Sequence, residues 1–153
     1  MNTSKPEKNH ITIEESLEQN GYFIYTNVGS SMMPFLRHRK DIIEIRKKEN
    51  ERCKRYDIVL YKHANQYILH RVLRVLPDGK YIIAGDNNTF LEKDITDDHI
   101  LGVVTQVIRN GKTIKMDDWR YLTYVHLWSD FYPIRKGILK TKVLLHNLKK
   151  RLV

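Results

Sequence analysis

A single cysteine, Cys53, stands in this 153-residue chain, which excludes a disulfide framework and any cysteine-based zinc cluster. Its neighbours Arg52, Lys54 and Arg55 could lower a thiol pKa, but the default reading is a loop cysteine with no chemical role. Long apolar runs are missing too. No uncharged apolar stretch approaches the roughly 18 residues that a spanning helix needs. Met1 to Gln19 is polar, carries Lys5, Glu7, Lys8, Glu14, Glu15 and Glu18, and has no apolar segment of the secretory kind. The expectation is a cytoplasmic or peripherally membrane-bound protein without a transmembrane helix or signal peptide. There is no glycine-rich phosphate loop and no dinucleotide fingerprint, so no cofactor is expected. His63 and His70 flank a predicted hairpin, yet no carboxylate or cysteine lies at ligand spacing, and no metal is expected. His38, between Arg37 and Arg39-Lys40, reads as part of a solvated basic loop.

The composition is that of one folded domain with a real core: 41% of residues are hydrophobic and 29% charged, too apolar for disorder. The net charge of +9 is unevenly placed. From Gly111 to Val153 ten Lys/Arg face three Asp/Glu, whereas the first 110 residues hold 17 and 15. The tail is the basic part, and such a tail meets phosphate, either of lipid headgroups or of nucleic acid.

Thr12-Ile13-Glu14-Glu15 fits a capping box and starts a short helix that ends at Asn20-Gly21. Tyr22 to Val28 is rich in β-formers and leads through Gly29 to Ser31. Further strands are predicted over Asp41 to Arg46 and Asp57 to Lys62, separated by a charged loop. Ala64-Asn65 turns the chain into a strand over Tyr67 to Leu76, and Pro77-Asp78-Gly79-Lys80 turns it back into Tyr81 to Ala84. Ile100 to Arg109, Asn110-Gly111 and Lys112 to Met116 form the strongest hairpin signal. About seven short strands with little helix between them predict a mainly β, mostly antiparallel fold. There are no internal repeats and no low-complexity segments.

The end of the chain changes character. Trp119, Tyr121, Leu122, Tyr124, Leu127, Trp128, Phe131 and Tyr132 crowd together before Pro133, which opens a predicted helix. Ile134, Ile138, Leu145, Leu148 and Leu152 line one side of it, and Lys140, Lys142, Lys149, Lys150 and Arg151 occupy much of the rest. An aromatic cluster ahead of a basic amphipathic helix suits peripheral membrane contact. The alternative is a helical hairpin packed on the sheet. Boundaries follow: an N-terminal segment with a short helix over residues 1–20, a β core over 21–116, and a helical appendage over 117–153.

Three groups carry candidate chemistry. Ser31 ends an apolar segment and precedes Met32-Met33-Pro34; His70 lies in Leu69-His70-Arg71-Val72; Asp86 lies in Gly85-Asp86-Asn87-Asn88. A serine hydroxyl is a poor nucleophile until a base takes its proton. Histidine can do so near neutral pH, and a carboxylate can fix the tautomer and stabilise the imidazolium. Taken singly, such a serine is by default a turn residue and such a histidine a satisfied core residue.

The order of these segments resembles the signal peptidase I superfamily, over about Tyr22 to Ile108. Gly29-Ser30-Ser31-Met32-Met33-Pro34 looks like its nucleophile box, with Ser31 in the nucleophile's place. Tyr56-Asp57-Ile58-Val59-Leu60 resembles the Gly-Asp-Ile-Val strand that follows. His70 stands where bacterial signal peptidases and self-cleaving repressors carry lysine, as in the histidine branch of endoplasmic-reticulum, archaeal and sporulation-type enzymes. Gly85-Asp86-Asn87-Asn88 resembles the Gly-Asp-Asn box, and Ile100-Leu101-Gly102-Val103-Val104 the closing Gly-x-Val strand. For the second acidic position Asp94 is the best match, with Asp97 and Asp98 behind it, so Asp86 or Asp94 is left to support His70. Gly29 replaces a serine that helps hold the oxyanion in many relatives, which shifts that task to backbone N–H groups, including that of Ser31. Thr89-Phe90-Leu91-Glu92 replaces the usual small polar run. The family's N-terminal anchor and the repressors' DNA-binding domain have no counterpart in the sequence.

The resemblance implies a serine endopeptidase with a Ser/His centre that cleaves leader or precursor peptides. Two other readings stay open: an inactive membrane- or partner-binding module of the same fold, and a basic nucleic-acid-binding domain, the latter disfavoured by leucine and lysine alternating at helical spacing.

Overall fold

The computed structural model describes residues 11–151. Leu152, the side chains of Lys149 and Arg151, and the polar residues before Ile11 lie outside the described part. The chain forms a mainly β fold, one eight-stranded antiparallel sheet with a short helix before it and helices after it. Helix α1, Ile13–Asn20, starts at Thr12, whose side chain accepts from Glu15 N–H while Glu15 reaches back to the Thr12 N–H. It stops at Gly21, in the left-handed conformation (φ 76°) that ends helices without a Cβ clash. Strands follow at β1 Tyr22–Thr26, β2 Ile42–Lys47, β3 Ile58–His63, β4 Gln66–Val75, β5 Tyr81–Ala84, β6 Glu92–Ile95, β7 Ile100–Arg109 and β8 Lys112–Lys115. In space they run β1-β2-β7-β3-β4-β5-β6, with β8 paired to β7.

Each predicted hairpin forms, and its turn residues explain why. Ala64 and Asn65 both take positive φ, as do Asn110 and Gly111, the twist that joins two antiparallel strands in two residues. The predicted strand over Tyr22 to Val28 is shorter than expected. Asn27 leaves the strand, donates its N–H to Asp41 O and accepts from Arg39 N–H, and so closes the base of the loop that carries Ser31. Buried Asp41 braces the same loop: its carboxylate accepts from Arg37 N–H, from the Arg37 guanidinium and from Arg109. Burial raises the carboxyl's pKa, but the hydrogen bonds from Arg109 and Arg37 outweigh it and hold it below the usual range. Strand β6 was not expected, because Glu92-Lys93-Asp94 has no apolar alternation.

Period-two alternation splits the core. On β3, Ile58 and Leu60 join Met32, Phe35, Leu36, Ile43, Ile45, Val104 and Val107 in one cluster. Val59 and Tyr61 face the other way, into a second cluster with Val72, Tyr81, Ile83 and Ile95. Cys53 is buried there too, and its thiol is pushed up to about 11 by burial, so it is an unreactive core group.

The last segment folds as α2 Trp119–Val125, a π-helical turn His126–Asp130 and α3 Tyr132–Arg151. Tyr121 and Val125 of α2 belong to the first core cluster. No helix among the described residues is long and apolar enough to cross a membrane.

Gly102 marks the tightest approach in the sheet. A Cβ there would stand 2.5 Å from Arg46 O and 2.7 Å from Ile45 Cγ2. Gly102→Ala is therefore expected to destabilise the protein by about 1–3 kcal/mol through overpacking, measured as a lower midpoint in urea unfolding with an unchanged slope.

Candidate active site

His70 lies on β4 and is buried, and its ring is held at both nitrogens. Nδ1 is 2.7 Å from Glu92 Oε1 on β6, and Nε2 is 3.2 Å from the Asn88 side-chain amide nitrogen. An amide N–H can only donate, so Nε2 carries the lone pair and Nδ1 the proton, which it gives to Glu92. Tyr61 sits diagonally across the β3–β4 ladder and donates its hydroxyl to the second Glu92 oxygen at 2.5 Å. Both carboxylate oxygens are thereby fixed. Burial lowers the His70 pKa, the Glu92 carboxylate pulls it back, and the net shift is downward from the ordinary imidazole value. The ring is neutral at neutral pH, with a lone pair at Nε2, the form in which imidazole accepts a proton.

Ser31 lies in the turn after β1 and shares a cleft of about 690 Å³ with His70 and Asn88. Much of the cleft wall is apolar, from Phe23, Ile43, Leu60 and Leu69, and among the described residues it has no acidic or basic side chain besides His70. Ser31 is tied to the turn that presents Asn88, since its carbonyl accepts from Asn87 N–H at 2.7 Å. Gly85 permits that approach: a Cβ there would stand 2.6 Å from Ser31 O and 2.9 Å from the Asn88 amide nitrogen. Within the nucleophile box, Met32 is buried in the core, Pro34 is exposed after a cis peptide bond, and Met33 N–H closes a turn onto Ser30 O. Gly29 takes φ 118° and gives its N–H to His38 Nδ1 at 2.8 Å. Exposed His38 thus braces the loop that carries Ser31.

Two expectations about the supporting carboxylate are corrected. Asp86 does not hold His70. It is fully buried against Arg71, with Oδ1 accepting from Nε at 2.8 Å and Oδ2 from Nη2 at 2.7 Å. Alternation explains this, because adjacent residues of a strand point to opposite faces, so a group bonded to Arg71 lies across the sheet from the His70 ring. Asp94 is almost wholly exposed and, among the described residues, reaches only Lys80, at 3.4 Å. The carboxylate at His70 is Glu92. Asp97, also weighed for this position, accepts from the Tyr81 hydroxyl and pairs with Lys48. Asp98 is exposed.

The buried Asp86 is also the docking point of the C-terminal helices. Tyr124 donates its hydroxyl to Oδ2 at 3.2 Å, Trp128 Nε1 donates to Asp86 O at 3.0 Å, and Arg135 Nη2 donates to Gly85 O at 3.3 Å. Arg71 reaches onward to Tyr56 O and to the Tyr121 hydroxyl. No group of His, Cys, Asp and Glu suited to a metal ion occurs among the described residues.

No protein-family model, curated protein or solved structure matches this chain.

The three carboxylates have separable effects. Asp86→Ala strands a fully buried guanidinium and is expected to lower stability by about 3–5 kcal/mol, read by denaturant unfolding. Asp94→Ala is expected to stay within about 0.5 kcal/mol of the parent. Glu92→Gln removes the charge behind His70, so the imidazole midpoint should fall further below its parent value, followed by NMR titration of the ring protons.

Proposed function

We propose that the protein is a serine endopeptidase of the signal peptidase type that cuts leader or precursor peptides. The reading is carried by one observation: a neutral, carboxylate-backed imidazole with its lone pair at Nε2 in the cleft that also holds Ser31. In the mechanism, Ser31 Oγ attacks the scissile carbonyl while His70 Nε2 takes its proton. Glu92 stabilises the imidazolium, as a triad carboxylate does, and Tyr61 keeps Glu92 aligned. His70 then returns the proton to the leaving amine, the acyl-enzyme forms, and water attacks it by the reverse of the same steps. The Asn88 amide, which meets Nε2 without substrate, has to yield that position to the Ser31 hydroxyl. Backbone N–H groups of the nucleophile turn, Ser31 among them, serve the oxyanion.

The sheet offers a place for an extended substrate. β1 ends the sheet, and Tyr22, Ile24 and Tyr25 on it are exposed. β5 pairs only with Arg71 to Val75 of β4, which leaves Gln66 to His70 bonded on one side, to β3. A peptide can add its backbone hydrogen bonds at such edges and place small side chains in the apolar cleft. The backbone at Tyr56 supports the family likeness as well. It takes φ 80°, a left-handed conformation suited to the glycine that the resembled strand motif carries there. Tyr56 holds it with a hydroxyl bond to Asp130 at 2.5 Å.

For location, α3 supports peripheral contact with an anionic membrane. Ile134, Ile138 and Leu148 form an exposed apolar stripe, and residues 132–151 contain no Asp or Glu to oppose the lysines. Ile134→Glu with Ile138→Glu should release the protein from anionic vesicles in co-sedimentation while leaving its far-UV circular dichroism unchanged. Retention of the double variant on vesicles counts against the stripe.

The reaction itself is tested with a fluorophosphonate probe and peptide cleavage. Ser31→Ala should abolish labelling, and Ser30→Ala should retain most of it; the reverse outcome would move the nucleophile by one residue. Glu92→Gln should slow cleavage by about 10²–10⁴-fold. Since burial favours the neutral ring, kcat/KM should rise with pH and reach its plateau with a midpoint below the ordinary histidine value of about 6.5. A midpoint well above that value, unmoved in Glu92→Gln, would remove His70 as the base.

A further inference from the structure

Asn88 and Phe90 line a second cavity as well as the Ser31 cleft. This cavity, of about 570 Å³, lies between residues 87–90 and α3, with Thr89 and Phe90 on one wall and Leu139, Lys142 and Val143 on the other. Its α3 wall combines the face turned toward the sheet with Leu145 of the exposed stripe. Arg135 and Leu139, buried, precede Val143 at steps of four residues, and Lys142 follows Leu139 by three, so these side chains share one face. Ile134 and Ile138 lie on the neighbouring, outward stripe. Phe90 and Val143 nevertheless remain 57% and 58% exposed, because nothing in the described chain fills the space between them.

The geometry points to a second substrate subsite: we propose that the groove between residues 87–90 and α3 holds an apolar, carboxylate-bearing segment of the same precursor that Ser31 cuts. The inference rests on the peptidase reading and adds to it the class of substrate. Continuity is the first argument, since a chain leaving the cleft past Asn88 and Phe90 enters the groove directly. Concavity is the second. A bilayer surface reaches the outward stripe of α3 but cannot enter a groove closed on two sides, whereas a peptide segment can. Charge is the third. Lys142 stands on the groove wall, no Asp or Glu among the described residues lines either cavity, and α3 carries basic residues and no acidic ones, so a segment with carboxylates is attracted and one with lysines repelled. The short leading part of the substrate then sits at Ser31 for chemistry, and the acidic apolar part supplies selection from a distance.

The experiment uses the full chain with Ser31→Ala, so that binding is read without cleavage. The probes are fluorescein-labelled synthetic peptides of scrambled Leu, Ser, Ala and Glu sequence, and the same pool with Lys for Glu, followed by anisotropy. The Glu pool should bind, and the Lys pool should bind at least about tenfold more weakly. Lys142→Glu and Val143→Glu should each weaken the Glu pool by about tenfold, equivalent to about 1.4 kcal/mol. The same two substitutions in the Ser31 protein should leave fluorophosphonate labelling unchanged, which also reports that the fold is intact. Equal affinity for both pools, or no loss in Lys142→Glu, overturns the proposal. So does a loss of vesicle binding in Val143→Glu with peptide binding unchanged, because the groove would then be a lipid contact. Absent labelling at Ser31 together with groove binding refutes the peptidase and not the groove.

Discussion

Taking a guanidinium and a carboxylate out of water costs several kcal/mol for each ion, and only close, fully bonded pairing offsets it. Arg71 and Asp86 meet that condition: both side chains are wholly buried and joined by two parallel hydrogen bonds, with Tyr121 and Tyr124 taking part of the remaining capacity. The pair ties three parts of the chain together. Arg71 follows His70 on β4, Asp86 begins the turn that Ser31 leans on, and the C-terminal helices close over both. Move the turn, and the Ser31 backbone and the Asn88 contact at His70 move with it. A buried ion pair is a poor source of net stability, but a good source of fixed geometry for the turn beside Ser31 and His70.

The site also shows how one dipeptide can divide two tasks. His70-Arg71 in a strand sends one side chain to each face. On one face the imidazole Nδ1 lies 2.7 Å from Glu92 and 3.1 Å from the Tyr61 hydroxyl; on the other the guanidinium meets Asp86. Glu92 therefore serves the His70 face and Asp86 the Arg71 face, and neither can substitute for the other. Burial of His70 keeps it neutral, and the Glu92 charge restrains that shift, so the two effects together set a base that is free of its proton at neutral pH yet stabilised once it takes one.

Much of this was legible beforehand. Turn chemistry at Ala64-Asn65, Pro77-Asp78-Gly79-Lys80 and Asn110-Gly111 fixes the hairpins, and the Thr12 capping box and Gly21 fix α1, because these are local effects. The order of motifs singles out Ser31 and His70, and both line one cleft. Glu92 was not legible. Strict alternation would put Glu92 and Asp94 on one face of a strand, so the pattern cannot choose between them. The register of β5 and β6 shifts between the Tyr81–Ile95 and Ile83–Glu92 pairs, and that irregularity sends Glu92 inward and leaves Asp94 in solvent. A bulge in a charged edge strand has no local signature. Asp86 was misread for a related reason: beside a glycine, a buried structural aspartate and a catalytic one look alike until the partner's strand face is known.

Charge and periodicity leave the basic tail as either a membrane-contact helix or a helical hairpin packed on the sheet. Its contacts make it part of the site. Tyr124, Trp128 and Arg135 each donate to the Gly85-Asp86 segment, and Tyr121 and Val125 fill the core beside Phe35 and Leu36. Removing the tail would unpair buried polar groups and open the core at once, so its surface functions can be probed only by changing outward side chains. It follows that whatever engages α3, on its outward stripe or in the groove beneath it, acts on a helix whose own side chain is bonded to the turn beneath Ser31. The outward surface of α3 and the geometry of the Ser31–His70 cleft are thus carried by the same element.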